Sequence, residues 1–122
     1  MTIKNIDYFI SQIWDWGFLD KCFGKTRIKV TDIDGFVERN GNFLVIECKS
    51  HDAKIPTGQS IMFSEMVKTG LFVVLIVWGE VNKPERALAM WNDKRKEYEP
   101  FTQSRFIEFV ENWFIYANKE KR

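Results

Sequence analysis

A chain of 122 residues with 45% hydrophobic and 16% aromatic side chains has the size of one domain and enough apolar surface for a core, which excludes a disordered protein. The 18 basic and 17 acidic side chains leave a net charge of +1, so the strongly basic balance of many nucleic-acid-binding proteins is absent. We expect one domain spanning residues 1–122, with a small footprint on any charged partner.

The two cysteines, Cys22 and Cys48, offer neither a disulfide framework nor the spacing of a zinc site, and Cys48 is expected in the core. The first residues lack the apolar segment of a signal peptide. The longest apolar run, Leu71–Trp78, is too short to span a bilayer. We therefore expect a cytoplasmic protein with no membrane partner.

The first predicted elements are a helix and a hairpin. Apolar residues at helical spacing predict a helix over Ile6–Trp16. Alternating polar and apolar side chains predict a strand over Arg27–Val37. The pair Asn40-Gly41 suits a type I′ turn and leads into a return strand over Phe43–Lys49, whose apolar run indicates burial on both faces.

A helix and a buried strand follow. Thr57 as N-cap and Gly70 as C-cap predict a second helix, and Leu71–Trp78 is typical of a buried strand. A buried strand after a helix implies a right-handed crossover, so we expect an α/β fold with a small central mixed sheet flanked by helices. The last predicted elements are a short strand near Arg86–Trp91, a turn into Lys94–Glu99 and an amphipathic helix capped by Thr102.

The predicted hairpin brings two acids and a lysine together. A turn at Asn40-Gly41 pairs Asp34 with Glu47, and Lys49 shares the face of Glu47. Opposed carboxylates destabilise a sheet, and a divalent cation would offset that cost. Because Mg²⁺ prefers oxygen ligands, we expect Mg²⁺ or Mn²⁺ on Asp34, Glu47 and the backbone carbonyl of Cys48.

Such a cation would lower the pKa of a bound water and neutralise charge on a phosphodiester. We expect Lys49 to stay charged and to position the water or the phosphate rather than act as a general base. Simpler alternatives are a strand-end ion pair between Glu47 and Lys49, turn residues at Asp32 and Asp34, or opposed acids in solvent. The single histidine, His51, is expected in a surface loop.

The motif Asp34-x12-Glu47-x-Lys49 resembles the core motif of the PD-(D/E)XK nuclease superfamily. The order α-β-β-α-β over Ile6–Trp78 is similar to the common core of that family. The resemblance therefore implies a restriction-endonuclease-like core of the αβββαβ type.

Two closer resemblances follow from the neighbouring residues. The run Ile46–Ser50, then Gly58-Gln59 and a helix ending at Gly70 before an apolar strand, is similar to VRR-NUC domains. Archaeal-type Holliday-junction resolvases share this layout, including a glutamine in the helix after the lysine. These families imply that Gln59 contacts the site or the phosphate.

The resemblance implies a Mg²⁺- or Mn²⁺-dependent deoxyribonuclease in which Asp34 and Glu47 bind the metal and Lys49 is the catalytic lysine. The chain departs from the family pattern at Ile33, where the family often has proline, and Asp32 is an alternative ligand. The family often adds an acid from its first helix. Three candidates for that acid are Asp7, Asp15 and Asp20.

With no separate DNA-reading domain expected, structure-directed cleavage of branched, flapped or single-stranded DNA is favoured over sequence-specific cleavage. The protein would act in a larger recombination or replication complex, and the aromatic C-terminal helix is a candidate homodimer interface. The near-zero charge and the unassigned first-helix acid favour an alternative, a catalytically inactive nuclease-fold module that binds nucleic acid or a protein partner. A third hypothesis is a small effector that binds a host or phage protein through exposed aromatics.

Overall fold

The computed structural model describes residues 5–122, which contain three α-helices, a 3-10 helix and five strands in one mixed sheet. The chain divides into two compact units, one ending at Thr31 and the other spanning Asp32–Arg122. That both belong to the single domain expected from the sequence stays a prediction. Within residues 5–122, no helix is long and apolar enough to cross a membrane.

The first unit has two short helices. Helix α1 spans Ile6–Ser11, and a 3-10 helix spans Trp16–Phe23. The predicted helix over Ile6–Trp16 is therefore too long. Gln12 is the C-cap of α1, and Asp15, within the predicted range, is extended and caps the next helix, accepting a hydrogen bond from the Gly17 N–H at 2.8 Å.

The second unit contains the sheet, with strand order β1-β2-β3-β4-β5. The pair β2–β3 is parallel and the other three pairs are antiparallel. The elements are β1 (Gly35–Arg39), β2 (Asn42–Lys49), α2 (Thr57–Lys68), β3 (Phe72–Glu80), β4 (Lys83–Trp91), β5 (Lys94–Tyr98) and α3 (Gln103–Lys119). The mixed sheet expected from the sequence is confirmed, and β4 is longer than predicted.

The two helices of this unit cover opposite faces of the sheet. On one face, Val45 and Ile76 pack with Phe63 of α2. On the other face, Leu44 and Leu75 pack with Trp113 of α3. Neighbouring strand residues therefore enter different cores, and each fully buried aliphatic side chain contributes about 1.5–3 kcal/mol. The expectation that the apolar run of β2 is buried on both faces is confirmed.

The hairpin turns where the sequence predicts. Asn40 and Gly41 both have positive φ, 55° and 78°, as a type I′ turn requires. Gly35 is paired with Ile46, which is the predicted register. The predicted strand over Arg27–Val37 is wrong before Gly35.

The early part of that predicted strand has no ladder partner. Strand β2 ends at Lys49, and continuing the register would place Asp32 opposite that residue. Residues 27–31 would therefore face no strand, and an extended segment without a partner is not stabilised as β-structure. Only β1 and β2 precede α2 in the described residues, whereas the αβββαβ core type has three strands there.

The capping residues predicted for the helices of the second unit are confirmed in part. Thr57 is the first helical residue of α2 rather than its cap, because Pro56 is the last extended residue before it. Gly70, at φ 77°, follows the end of α2 as predicted. Thr102 caps α3 as predicted and accepts a hydrogen bond from the Arg105 N–H at 3.3 Å.

Candidate metal and phosphate site

The end of β2 and the first turn of α2 bring the candidate residues together. Glu47 and Lys49 lie on the face of the sheet covered by α2, since they alternate with Cys48 along β2. Gln59 lies in the first turn of α2 and reaches both side chains. Glu47 is only 4% exposed, so this is a buried carboxyl group.

A chain of hydrogen bonds connects the four predicted catalytic side chains. The ammonium of Lys49 donates to Oε1 of Gln59 at 2.5 Å, and Nε2 of Gln59 donates to Oε2 of Glu47 at 3.0 Å. The carboxyl of Glu47 is hydrogen-bonded to Asp34, whose Oδ2 accepts from the Cys48 N–H at 2.8 Å. The structure therefore places Asp34, Glu47, Lys49 and Gln59 in one connected site.

A buried acid, Glu47, meets an exposed acid, Asp34, in this site. Burial, followed by the hydrogen bond and negative charge of Asp34, raises the pKa of Glu47 from 4.5 to about 7, against the opposing effects of Lys49 and Gln59. Near neutral pH a fraction of the molecules therefore carries a proton on Glu47. A divalent cation between the acids would replace that proton.

The donor set suits a hard cation. In a strand, the N–H and C=O of one residue point to the same side, so the Cys48 carbonyl faces the β1 side, where Asp34 binds the Cys48 N–H. Residues 5–122 contain no group of three or more His, Cys, Asp and Glu side chains suited to a metal. Two carboxylates and a carbonyl leave room for waters and substrate oxygens, which fits Mg²⁺ or Mn²⁺ and does not fit structural zinc.

Gly35 permits the close approach of the two strands beside the acids. A Cβ atom at this position would lie 3.2 Å from the Cβ of Ile46, tighter than ordinary van der Waals contact. The absence of a side chain therefore lets β1 begin tightly against β2. Asp34, directly before Gly35, consequently reaches the Cys48 N–H.

The Cys48 thiol is exposed, so the expectation that it lies in the core is wrong. It lies on the α3 side of the sheet, beside an open groove of about 910 Å³ that Phe106 and Ile107 also line. The alternation of side chains along β2 correctly predicts that Cys48 lies on the face opposite Glu47 and Lys49. The sequence does not reveal that α3 leaves this end of the strand uncovered.

His51 is exposed as predicted and lies in a turn after β2. Its Nδ1 lies 2.5 Å from Oε1 of Glu85, and that contact raises the pKa of His51. The alternative of a strand-end ion pair between Glu47 and Lys49 is not what the structure shows, because Gln59 lies between them.

The metal-binding roles suggested from the sequence for the remaining acids stay predictions. Asp32, the alternative ligand, lies in the second unit, three residues before β1 begins. The first-helix candidates Asp7, Asp15 and Asp20 belong to the first unit, where Asp15 caps the 3-10 helix.

Two residues of this strand end were not predicted from the sequence. Lys49 pairs with Trp78 of β3, which pairs with Arg86 of β4, so the three lie in one row across the sheet. The signal that could have found them is Gly79, where the β3–β4 register shifts. A Cβ atom there would lie 2.3 Å from the carbonyl oxygen of Lys83, so only glycine fits this bulge.

A scan against protein-family models and searches of curated proteins and of solved structures each returned no match to this chain. The resemblance to the PD-(D/E)XK superfamily therefore stays a prediction from motif and element order.

Proposed function

We propose that this chain is a Mg²⁺- or Mn²⁺-dependent DNA endonuclease of the PD-(D/E)XK type that hydrolyses phosphodiester bonds. The observation that carries the proposal is the buried Glu47, which is hydrogen-bonded to Asp34 and to Gln59 at the end of β2. A buried acid next to a second acid is costly unless a cation or a proton compensates it. The site therefore has the electrostatic character of an ion-binding site.

Asp34, Glu47 and the carbonyl of Cys48 are the groups that would hold the cation. When bound, a divalent cation lowers the pKa of a coordinated water and neutralises charge on the phosphate. The two carboxylates provide the negative charge that attracts the cation. The buried position of Glu47 limits its rotamers, so its oxygens are held in place before any ligand binds.

Lys49 and Gln59 act as a pair in this proposal. Gln59 accepts from Lys49 and donates to Glu47, so one amide sets the position of the ammonium relative to the carboxyl. The ammonium of Lys49 then provides a fixed positive charge for the scissile phosphate or orients the attacking water. Its proposed role is positioning and electrostatic stabilisation rather than proton abstraction.

The proposed substrates are branched, flapped or single-stranded DNA rather than a defined sequence. The second unit has one sheet with two covering helices, and no further element of it is available to read bases. Homodimerisation through α3 and action within a larger recombination or replication complex are further proposals. Exposed apolar side chains on α3 include Ile107, Phe114 and Ile115, which favour such an interface.

The experiment is cleavage of a panel of labelled duplex, single-stranded, flapped and branched DNAs with Mg²⁺, Mn²⁺ or EDTA. Wild type is compared with Glu47→Gln and Lys49→Ala, and the matched control is Asp93→Asn in the exposed turn between β4 and β5. We expect metal-dependent cutting that both site variants lose and the control keeps. An inactive wild type whose melting temperature does not respond to either metal would overturn the proposal.

One observation favours the alternative of an inactive nuclease-fold module. The chain from Lys49 through Gln59 to Glu47 and Asp34 is hydrogen-bonded throughout, as a structural polar network would be. In that case DNA or protein binding would be the same with and without metal, and no DNA of the panel would be cut.

A further inference from the structure

A second cation lies on the same face of the sheet as Lys49. Lys49, Trp78 and Arg86 are register partners on three adjacent strands, β2, β3 and β4. Adjacent strands are about 4.8 Å apart, so Arg86 begins about 10 Å from Lys49 across the sheet. This distance suits a phosphate near the scissile one on the same nucleic-acid strand.

Trp78 holds the guanidinium of Arg86 in a fixed orientation. The Cζ atom of Arg86 lies 4.1 Å from the centre of the Trp78 ring, a close cation–π contact. Trp78 is itself 6% exposed, and its indole N–H donates to the Ala53 carbonyl at 2.7 Å. The stacking surface is therefore rigid, and the N–H edge of the guanidinium remains free to bind in the ring plane.

Arg86 has no anionic partner within the described chain. The ion pairs among residues 5–122 are His51–Glu85 and Lys68–Glu65, and neither includes Arg86. The Arg86 guanidinium also donates no hydrogen bond to any residue in this range. The side chain is nevertheless half-buried. A half-buried, stacked and unpaired guanidinium offers a planar pair of donors, which matches two oxygens of a phosphate.

We propose that Arg86, stacked on Trp78, binds a backbone phosphate of the nucleic-acid substrate next to the one held at Lys49. The inference rests on the proposed function, because it assigns a second contact of the same substrate. Arg86 thus supplies affinity and strand position, whereas the acids and Lys49 act at the bond that is cut. A DNA-binding stripe of two aligned cations also accounts for binding by a chain whose net charge is only +1.

The test is DNA affinity measured by fluorescence anisotropy over a series of salt concentrations. The parent is the Glu47→Gln variant, which keeps the shape of the site and is expected not to cut the probe, a labelled single-stranded or flapped oligonucleotide. Arg86→Met and Arg86→Lys are added to this parent. Lys119→Gln, an exposed lysine at the end of α3, removes the same unit of charge from the opposite face and is the control.

We expect Arg86→Met to weaken binding about tenfold and to lower the slope of log K against log salt by about one unit, the loss of one phosphate contact. Arg86→Lys should restore most of the slope, because it restores the charge, with weaker affinity from the lost planar fork. Lys119→Gln should change neither quantity. The Met side chain keeps an apolar stem over Trp78, and unchanged melting temperatures would show that the fold is preserved.

An unchanged slope in Arg86→Met would overturn the inference even if the wild type cuts DNA, and the proposed function would then stand without it. A parent that binds no probe would also overturn it. A lowered slope together with a wild type that cuts nothing would support Arg86 as a phosphate contact and reject the nuclease.

Discussion

Strand β2 contains two buried polar side chains, Asn42 at its start and Glu47 near its end, and the two have different kinds of partner. Asn42 is 1% exposed and Glu47 is 4% exposed, and they are the buried polar or charged residues of the described chain. Their partners differ in kind. Asn42 has complementary neutral and cationic partners, whereas Glu47 is held against another acid.

Asn42 is completely satisfied by neighbours from both ends of the second unit. Its Nδ2 donates to the carbonyl oxygens of Arg39, at 3.3 Å, and of Glu120, and its Oδ1 accepts from Nε of Arg122 at 3.0 Å. These contacts connect the hairpin to the segment after α3. A buried amide with all its partners is a structural device.

Glu47 is hydrogen-bonded but not electrostatically balanced. Lys49 reaches it only through the amide of Gln59, and Asp34 adds negative charge. Under the proposed function, this difference in charge balance separates Glu47 from a structural buried group such as Asn42. A structural group is satisfied by the fold, and a functional group is left with a charge that a ligand can compensate.

The largest expected effect is on catalysis. Glu47→Gln should reduce metal-dependent DNA cleavage by about 100- to 1000-fold, since one of two carboxylates of the site loses its charge. Single-turnover cleavage under saturating Mg²⁺ is the measurement. Asn42→Asp is unsuitable as a control because it buries a charge, so the exposed Asp93→Asn serves instead. Equal loss of activity in both variants would contradict the distinction.

The pH dependence of stability should separate Glu47 from Asn42 next. Because the pKa of Glu47 is raised from 4.5 to about 7 in the folded state, the folded protein binds a proton that the unfolded chain releases over this range. The free energy of unfolding should therefore fall by about 3 kcal/mol as the pH rises from about 4.5 to 7 and then level off.

Chemical denaturation at several pH values is the measurement, with Glu47→Gln as control. That variant should lack this decrease. In wild type, excess Mg²⁺ or Mn²⁺ at about pH 8 should restore stability, because a cation replaces the proton. A wild type whose stability rises over the same range would show that the two acids are not coupled as described.

Asn42→Ala should destabilise the protein by about 2 kcal/mol, because it removes a buried amide and its hydrogen bonds to Arg39, Glu120 and Arg122. The loss should be the same with and without metal and across neutral pH. Urea denaturation of the single variant in Mg²⁺ and in EDTA is the measurement. A loss that disappears with metal would mean that this end of β2 is coupled to the Glu47 site.

The smallest effect is expected at the exposed pair of His51 and Glu85. The contact with Glu85 raises the pKa of His51, so its stabilising effect is present below the ordinary histidine pKa and is lost as the pH rises through the raised value. Glu85→Gln should return the pKa of His51 toward its ordinary value without a measurable change in melting temperature. Proton NMR titration of the histidine ring is the measurement, and an unchanged pKa would contradict the contact.

Local signals predicted the hairpin and most of the site. Asn40-Gly41 determines the register that brings Asp34 to Glu47, because a two-residue turn pairs residues symmetrically about itself. The helix after β2 then brings in Gln59, which a motif resemblance singled out. These interactions all lie within one continuous stretch of chain.

Long-range contacts could not be predicted in the same way. Asn42 directly follows the predicted turn in the sequence, whereas its partners Glu120 and Arg122 are 78 and 80 residues away. The row from Lys49 to Arg86 depends on the register of β3 and β4, which a bulge shifts at Gly79. The exposure of Cys48 depends on where α3 begins relative to β2. Each of these requires the packed sheet.

The site at the end of β2 is formed by residues close in sequence, whereas Asn42 binds residues from the end of the chain. This difference has a consequence for the order of folding. The carboxylate pair closes a short loop, so its entropic cost is low, whereas the contact of Asn42 with Arg122 closes almost the whole second unit. We expect the hairpin to form early and the C-terminal segment to dock last. In pulse-labelled hydrogen exchange, the Cys48 amide, bound by Asp34, should gain protection before the Arg122 amide, bound by the Asn40 carbonyl. The acids would then meet before the core closes around them.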